Sequence, residues 1–186
     1  MKSARKHILL TIFLMTTGSL VWAVLLPRHG LGSQARKSTP PTWGKPSGGF
    51  QLLVELEKES FSSQEPIEIH ISLKNVSSKT IMIEQTAPWR DYSIEIRNEE
   101  GKEVAFSDAR RRLEPKSKDD LITSHKPTYL PAGGIVEDHL TLNKMFDLTA
   151  RGTYSVTVRR SVHKYDQKWL GVAEVTSNTA KIKLGA

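Results

Sequence analysis

Cysteine is absent from the chain, which removes disulfides, thiol nucleophiles and thiolate metal sites from consideration. The redox compartment stays open, because exported proteins do not require disulfides. The six histidines (His7, His29, His70, His125, His139 and His163) show neither HExxH nor any other close ligand spacing. A glycine-rich phosphate loop, a GxSxG elbow and a Ser-Lys arrangement are missing as well. The sequence therefore carries no signature of catalysis, of a cofactor or of a bound metal.

Acidic residues are missing from everything before Glu55. The net charge of +7 resides entirely in Lys2, Arg5, Lys6, Arg28, Arg36, Lys37 and Lys45, and from Phe50 onward 20 basic residues face 20 acidic ones. A chain that neutralises nucleic-acid phosphates needs its basic surplus on the folded domain. Here the surplus flanks an apolar segment instead, which excludes nucleic acid as the expected partner and points to a membrane.

That segment is Ile8 to Leu26, ILLTIFLMTTGSLVWAVLL, with no charged residue over 19 positions. As a helix rising about 1.5 Å per residue it spans roughly 28 Å, the thickness of a bilayer core. A signal peptide usually has a shorter apolar region, about 7 to 15 residues, and a small-residue cleavage site. VWA ending at Ala23 and SQA ending at Ala35 both have that form, so a cleaved signal, and a secreted product, is the alternative to a signal-anchor. Lys2, Arg5 and Lys6 precede the span, and Arg28, Arg36 and Lys37 follow it. With the amino terminus counted, the bias favours an N-terminus inside and a domain outside the cytoplasm. Residues 1–7 are then a basic N-terminal region, 8–26 the membrane segment and 27–49 a flexible Pro/Gly/Ser tether. Trp43 reads as an incidental aromatic in that tether.

Residues 50–186 change period. In PIEIHISLKN, Ile67, Ile69, Ile71 and Leu73 alternate with Glu68, His70, Ser72 and Lys74, the pattern of a strand with one wet face. NVSSK followed by TIMIEQ predicts a hairpin over Ile67 to Gln85. Tyr92, Ile94 and Ile96 share a face in the next strand, Asn98 and Gly101 supply a turn, and Val104 begins a return strand. VEDHLTL, TYSVTVRRSV and NTAKIKL complete seven or eight short strands, with one helical turn at NKMFDL. The fold class expected is all-β, an immunoglobulin-like antiparallel β-sandwich.

Two local features bear on that fold. In FDLTARGTYSVTV the spacing of Asp147, Gly152 and Tyr154 resembles a tyrosine corner, whose hydroxyl bonds to backbone a few residues upstream and stabilises a crossover between sheets. The order IEIHISLKNVSS, DYSIEIRNEEGKEV, YLPAGG, FDLTARGTYSVTV resembles bacterial immunoglobulin-like domains, among them the proteinase-inhibitor family known as BsuPI. The resemblance implies a sandwich and, as an alternative function, proteinase inhibition, but it carries over no reactive-site residue.

Candidate contact residues lie elsewhere. The stretch from Ser107 to Gly134 is long, charged and poor in apolar residues, a form typical of binding loops on a rigid sheet. Arg110, Arg111 and Arg112 make its basic end, Asp119 and Asp120 its acidic end, and Trp89 is a second contact candidate. His70 and His139 read as solvent-face strand residues, and Glu137 with Asp138 as a solvated edge pair. Asn75-Val76-Ser77 matches a glycosylation sequon, although a turn calls for the same residues. The expectation is a non-catalytic, membrane-tethered extracytoplasmic interaction module whose partner is an unknown protein or envelope component. Proteinase inhibitor and enzyme with an unrecognised site stand as the alternatives.

Overall fold

The structure is a computed structural model that describes residues 42–62, 64–112, 125–166 and 168–185. The expected membrane segment lies outside the described residues, and among those described no helix is long and apolar enough to cross a membrane. Two sheets enclose one core, as the all-β expectation requires. The first has three strands, β1 (Phe50–Leu56), β3 (Glu68–Asn75) and β7 (Ile135–Thr141), in the order β1-β3-β7. The second is ordered β2-β9-β8-β4-β6, from β2 (Ser60–Phe61), β9 (Lys168–Leu184), β8 (Gly152–Asp166), β4 (Ile81–Gln85) and β6 (Lys126–Leu130). β5 (Ser93–Arg97) also pairs with β8.

Alternation decides which side of each strand enters the core. Ile69, Ile71 and Leu73 of β3 are fully buried, as are Val156 and Val158 of β8, and they pack into one cluster with Phe50, Leu52, Ile83, Ile96 and Ile182. Burying such side chains yields about 1.5–3 kcal/mol each, which makes this cluster the main source of stability.

The predicted hairpin over Ile67 to Gln85 does not form. β3 already has β1 on one side and β7 on the other, so the chain after Asn75 must leave the sheet. It crosses to the second sheet, where β4 pairs with β6 and β8. Asn75 makes the crossover possible: fully buried, it donates through Nδ2 to the carbonyls of Lys79 (2.8 Å), Leu130 (2.9 Å) and Pro131 (3.1 Å). Its Oδ1 accepts from Ser77 N and Oγ. In the folded domain the sequon asparagine is therefore enclosed rather than presented.

Three further differences follow from pairing. Residues 126–130, read as loop, form β6, because β4 offers them a free edge. The return strand after the Asn98–Gly101 turn is reduced to one bridge, Arg97 with Glu103, beside which Val104 N donates to Ile96 O. The last strand is much longer than NTAKIKL, because β8 and β9 run together as a hairpin from Gly152 to Leu184 with register shifts on the way.

Residues 42–49, assigned to the tether by composition, join the fold along β1. Gly44 N donates to Leu52 O at 2.9 Å, and Gln51 Nε2 donates back to Gly44 O. Gly44 is wedged so tightly that a Cβ there would lie 2.1 Å from the Thr176 carbonyl. Asn178 of β9 continues the seam, exchanging hydrogen bonds with the backbone N and O of Val54. Trp43 is half-buried, with the Lys74 ammonium 5.6 Å from its ring centre.

Candidate functional site

The second sheet has a break on one flank of β8: β4 ends at Gln85, β5 begins at Ser93, and both pair with β8. A single helical turn, α1 (Pro88–Asp91), fills the gap. Pro88 suits its start because a helix's first turn leaves backbone N–H groups unpaired and the ring presets φ. Thr86 fixes the far end by donating from its backbone N–H to the Asp91 carboxylate at 3.0 and 3.1 Å.

Behind α1 lies a polar network within the interior. Arg160 is only 2% exposed. Its guanidinium donates to the Tyr92 hydroxyl (3.0 Å), the Glu84 carbonyl (3.0 Å) and Asp91 Oδ2 (3.2 Å). The Tyr92 hydroxyl in turn donates to Asp138 Oδ2 at 2.7 Å. A buried charge is costly unless paired and hydrogen-bonded, and here the arginine has three acceptors. Burial pushes the Tyr92 hydroxyl well above the ordinary tyrosine range, the Arg160 charge pulls it back in part, and Asp138 pushes it up again. This corrects the reading of Glu137 and Asp138 as one solvated pair: Glu137 faces solvent, while Asp138 is half-buried and holds Tyr92. A signal for Arg160 was present in the sequence, since it sits in phase with Tyr154, Val156, Val158 and Val162 on the inward face of β8.

Trp89 projects from α1 on the outside of this network. α2 (Asp108–Arg112) brings Arg110 to it, with the guanidinium carbon 5.4 Å from the Trp89 ring centre and 5.4 Å from that of Phe106. Arg90 covers the same indole at 4.6 Å. Nε and Nη1 of Arg110 are shielded from solvent and have no hydrogen-bond partner among the described residues. Two clefts flank the indole, one of about 450 Å³ over Phe106, Met145 and Phe146, the other of about 520 Å³ over Leu140, Met145 and Lys144. The structure thus brings together two of the contact candidates, Trp89 and Arg110. It separates the others: Arg111 pairs with Asp108 at the surface, Arg112 is exposed, and Asp119 and Asp120 lie outside the described residues.

The remaining sequence candidates have plain placements. The Tyr154 hydroxyl donates to Ala150 O, four residues upstream, at 2.7 Å. Burial, and next the Asp147 charge, raise its pKa. Asp147 N donates to Ala105 O and its Oδ1 accepts from Thr149; Gly152 opens β8 with φ +142°. His70 and His139 are cross-strand partners with ring centres 4.4 Å apart. His139 is exposed as expected; His70 is half-buried, and its Nε2 is enclosed without a hydrogen-bond partner among the described residues. Among the described residues no group of acidic residues and histidines is placed to hold a metal ion.

Comparison with known proteins adds little to this geometry. No protein-family model matches the chain, and no curated protein matches it. Among solved structures it is similar to a β-glucosidase from Listeria innocua in complex with isofagomine, at 12% identity and a TM-score of 0.33. A D270A mutant of that enzyme with laminaribiose matches at 11% identity and the same TM-score. Each match covers 74% of this chain and 16% of the enzyme, so the chain spans about a sixth of the length of the structures it matches.

Proposed function

We propose that this protein is a non-catalytic interaction module, tethered to a membrane by residues 8–26 with its domain outside the cytoplasm, and that the surface around Trp89 and Arg110 receives its partner. The observation that carries the reading is Arg110. A guanidinium packed against two aromatic rings, with Nε–H and Nη1–H enclosed and unpaired among the described residues, lies beside clefts that accept apolar side chains. Aromatic and arginine residues of this kind dominate protein interfaces. The two facing sheets, together with the Tyr154 hydroxyl on the Ala150 carbonyl, support an immunoglobulin-like sandwich as the scaffold. The uncharged 19-residue segment with basic flanks supports the tether.

The test is crosslinking and capture from native membranes, comparing wild type with Arg110→Ala and with Arg159→Ala, an exposed arginine of β8 outside this surface. Loss of one specific crosslinked species in Arg110→Ala alone supports the reading. Equal capture by all three chains removes the surface from consideration. Alkaline extraction of the same membranes tests the tether separately, because a chain released by alkali is not anchored.

A further inference from the structure

One end of the domain combines three features that occur together at lipid surfaces. Four segments meet there: the turn at residues 47–50, the crossover 75–81, the turn 130–135 and the tip of the β8–β9 hairpin. Asn75 binds the crossover to the 130–135 turn through Leu130 O and Pro131 O, and Lys164 Nζ donates to Gly48 O beside the hairpin tip.

The first feature is apolar exposure. Of the seven large hydrophobic residues exposed among the described ones, six lie in or beside these segments: Val76, Tyr129 (72%), Ile135, Trp169 (51%), Leu170 and Val172. Phe106 is the exception. A soluble surface scatters such residues singly, and their concentration marks an interaction face.

The second is an aromatic row. Tyr129 pairs with Met82, Met82 with Tyr165 and Tyr165 with Trp169, so four adjacent strands present one continuous rung on the outer face. The Tyr165 and Trp169 rings meet edge to face at 5.2 Å and 61°, and His163 abuts Trp169 at 5.5 Å. Rings so tilted make a poor platform for a flat ligand. Tyrosine and tryptophan with their apolar bodies inward and polar tips in water suit the bilayer interface.

The third is charge. Lys45, Lys74, Lys79, Lys164 and Lys168 lie in or beside these segments and outnumber the nearby acids, Asp166 at the hairpin tip, Glu84 against Tyr165 and Glu137 after Ile135, although the domain from Phe50 onward is formally neutral. Lysine stems lie along apolar surface while the ammonium reaches headgroup phosphates, and each basic residue beside an anionic leaflet is worth roughly fivefold in affinity.

We infer that this end of the domain docks on the surface of the bilayer that carries the tether, with Trp169 and Leu170 entering the headgroup boundary and the lysines on anionic lipid. The inference rests on the tether reading for its occupant. The 15 residues 27–41 separate the uncharged segment from Thr42. Any chain of that length reaches at most about 50 Å, and the tether read from its composition would have a root-mean-square reach of about 20 Å. A surface within that distance is met at an effective concentration on the order of millimolar, so weak interfacial contacts suffice to keep the domain down.

The absence of cysteine provides a clean experiment. The full chain is reconstituted in phosphatidylcholine vesicles with and without phosphatidylglycerol, carrying a nitroxide on Ser78→Cys at this end or on Glu100→Cys at the opposite turn. Accessibility to oxygen and to a water-soluble nickel chelate reports depth. The expected result is a Ser78 label shielded from nickel and open to oxygen in anionic vesicles, with the Glu100 label in water. Adding Trp169→Ser and Leu170→Ser should return the Ser78 label to water while the chain stays in the alkali-resistant pellet. Two aqueous labels on a chain that stays in that pellet overturn docking and leave the tether standing. Release of the chain by alkali overturns the tether, and the Ser78 depth measured at neutral pH then decides docking by itself. A Ser78 label shielded from both reagents signals contact with another protein or a second copy, and also overturns the lipid assignment.

Discussion

Tyr92 and Asp138 join the two sheets through the interior, the hydroxyl of one donating to the carboxylate of the other at 2.7 Å while accepting from Arg160. Tyr92→Phe keeps the ring and removes both hydrogen bonds, leaving a half-buried carboxylate and a buried guanidinium nitrogen short of a partner. The expected loss is about 1–3 kcal/mol, read as a lower urea midpoint at neutral pH. An unchanged midpoint would show that this link contributes nothing to holding the sheets together.

The same pair sets an alkaline limit. Burial raises the folded pKa of Tyr92 above the ordinary tyrosine value of about 10. Below that value the hydroxyl is protonated in folded and unfolded chains alike, and its contribution is fully present. As pH rises past about 10, unfolded chains ionise while the folded hydroxyl resists, so stability falls. Urea midpoints should decline from pH 9 to 11, and less steeply in Tyr92→Phe. Some slope should persist, because Tyr154 and Tyr165 are shifted upward as well, chiefly by burial. Equal slopes in both proteins would remove Tyr92 from the alkaline response.

Arg160→Met replaces a buried cation with a side chain of similar length and leaves Asp91, whose side chain is 10% exposed, without its counter-charge. Breaking one side of a buried pair costs about 3–5 kcal/mol. The double variant Arg160→Met with Asp91→Asn should lose less than the sum of the two single changes, since the residues share one network. Strict additivity in denaturation experiments would show that they are not coupled.

Tyr154→Phe loses the bond to Ala150 O and should cost about 1–3 kcal/mol. Tyr154→Ala also leaves a cavity and should cost about 3–5 kcal/mol. Wild-type midpoints in both variants would deprive the sandwich of this corner. Loss of partner capture by Tyr154→Phe at an unchanged midpoint would instead make the tyrosine part of a binding site.

Gly44→Ala tests whether the domain begins before Phe50. The added methyl meets the Thr176 carbonyl at 2.1 Å, and overpacking of this kind costs about 1–3 kcal/mol. In a loose tether the same change would be neutral or slightly stabilising by restricting the unfolded chain, so the sign of the midpoint shift is decisive.

The sequence by itself determined the strand content and the inward faces of the core strands, because period-two alternation is local and burial follows it directly. Ile69, Ile71 and Leu73, and likewise Tyr154, Val156 and Val158, lie where their spacing put them. The concentration of charge before Phe50 was legible in the same way. Only the tertiary structure decided which strands pair, since pairing depends on which edges are already occupied: β1 and β7 hold both sides of β3, and Asn75 sends the chain across to the other sheet. Distance along the chain likewise hid the meeting of Trp89 with Arg110 and the chain of contacts from Asp138 through Tyr92 to Arg160. Those residues lie on separate elements, and they meet only because burying the apolar faces stacks the sheets and carries the polar groups into reach of one another.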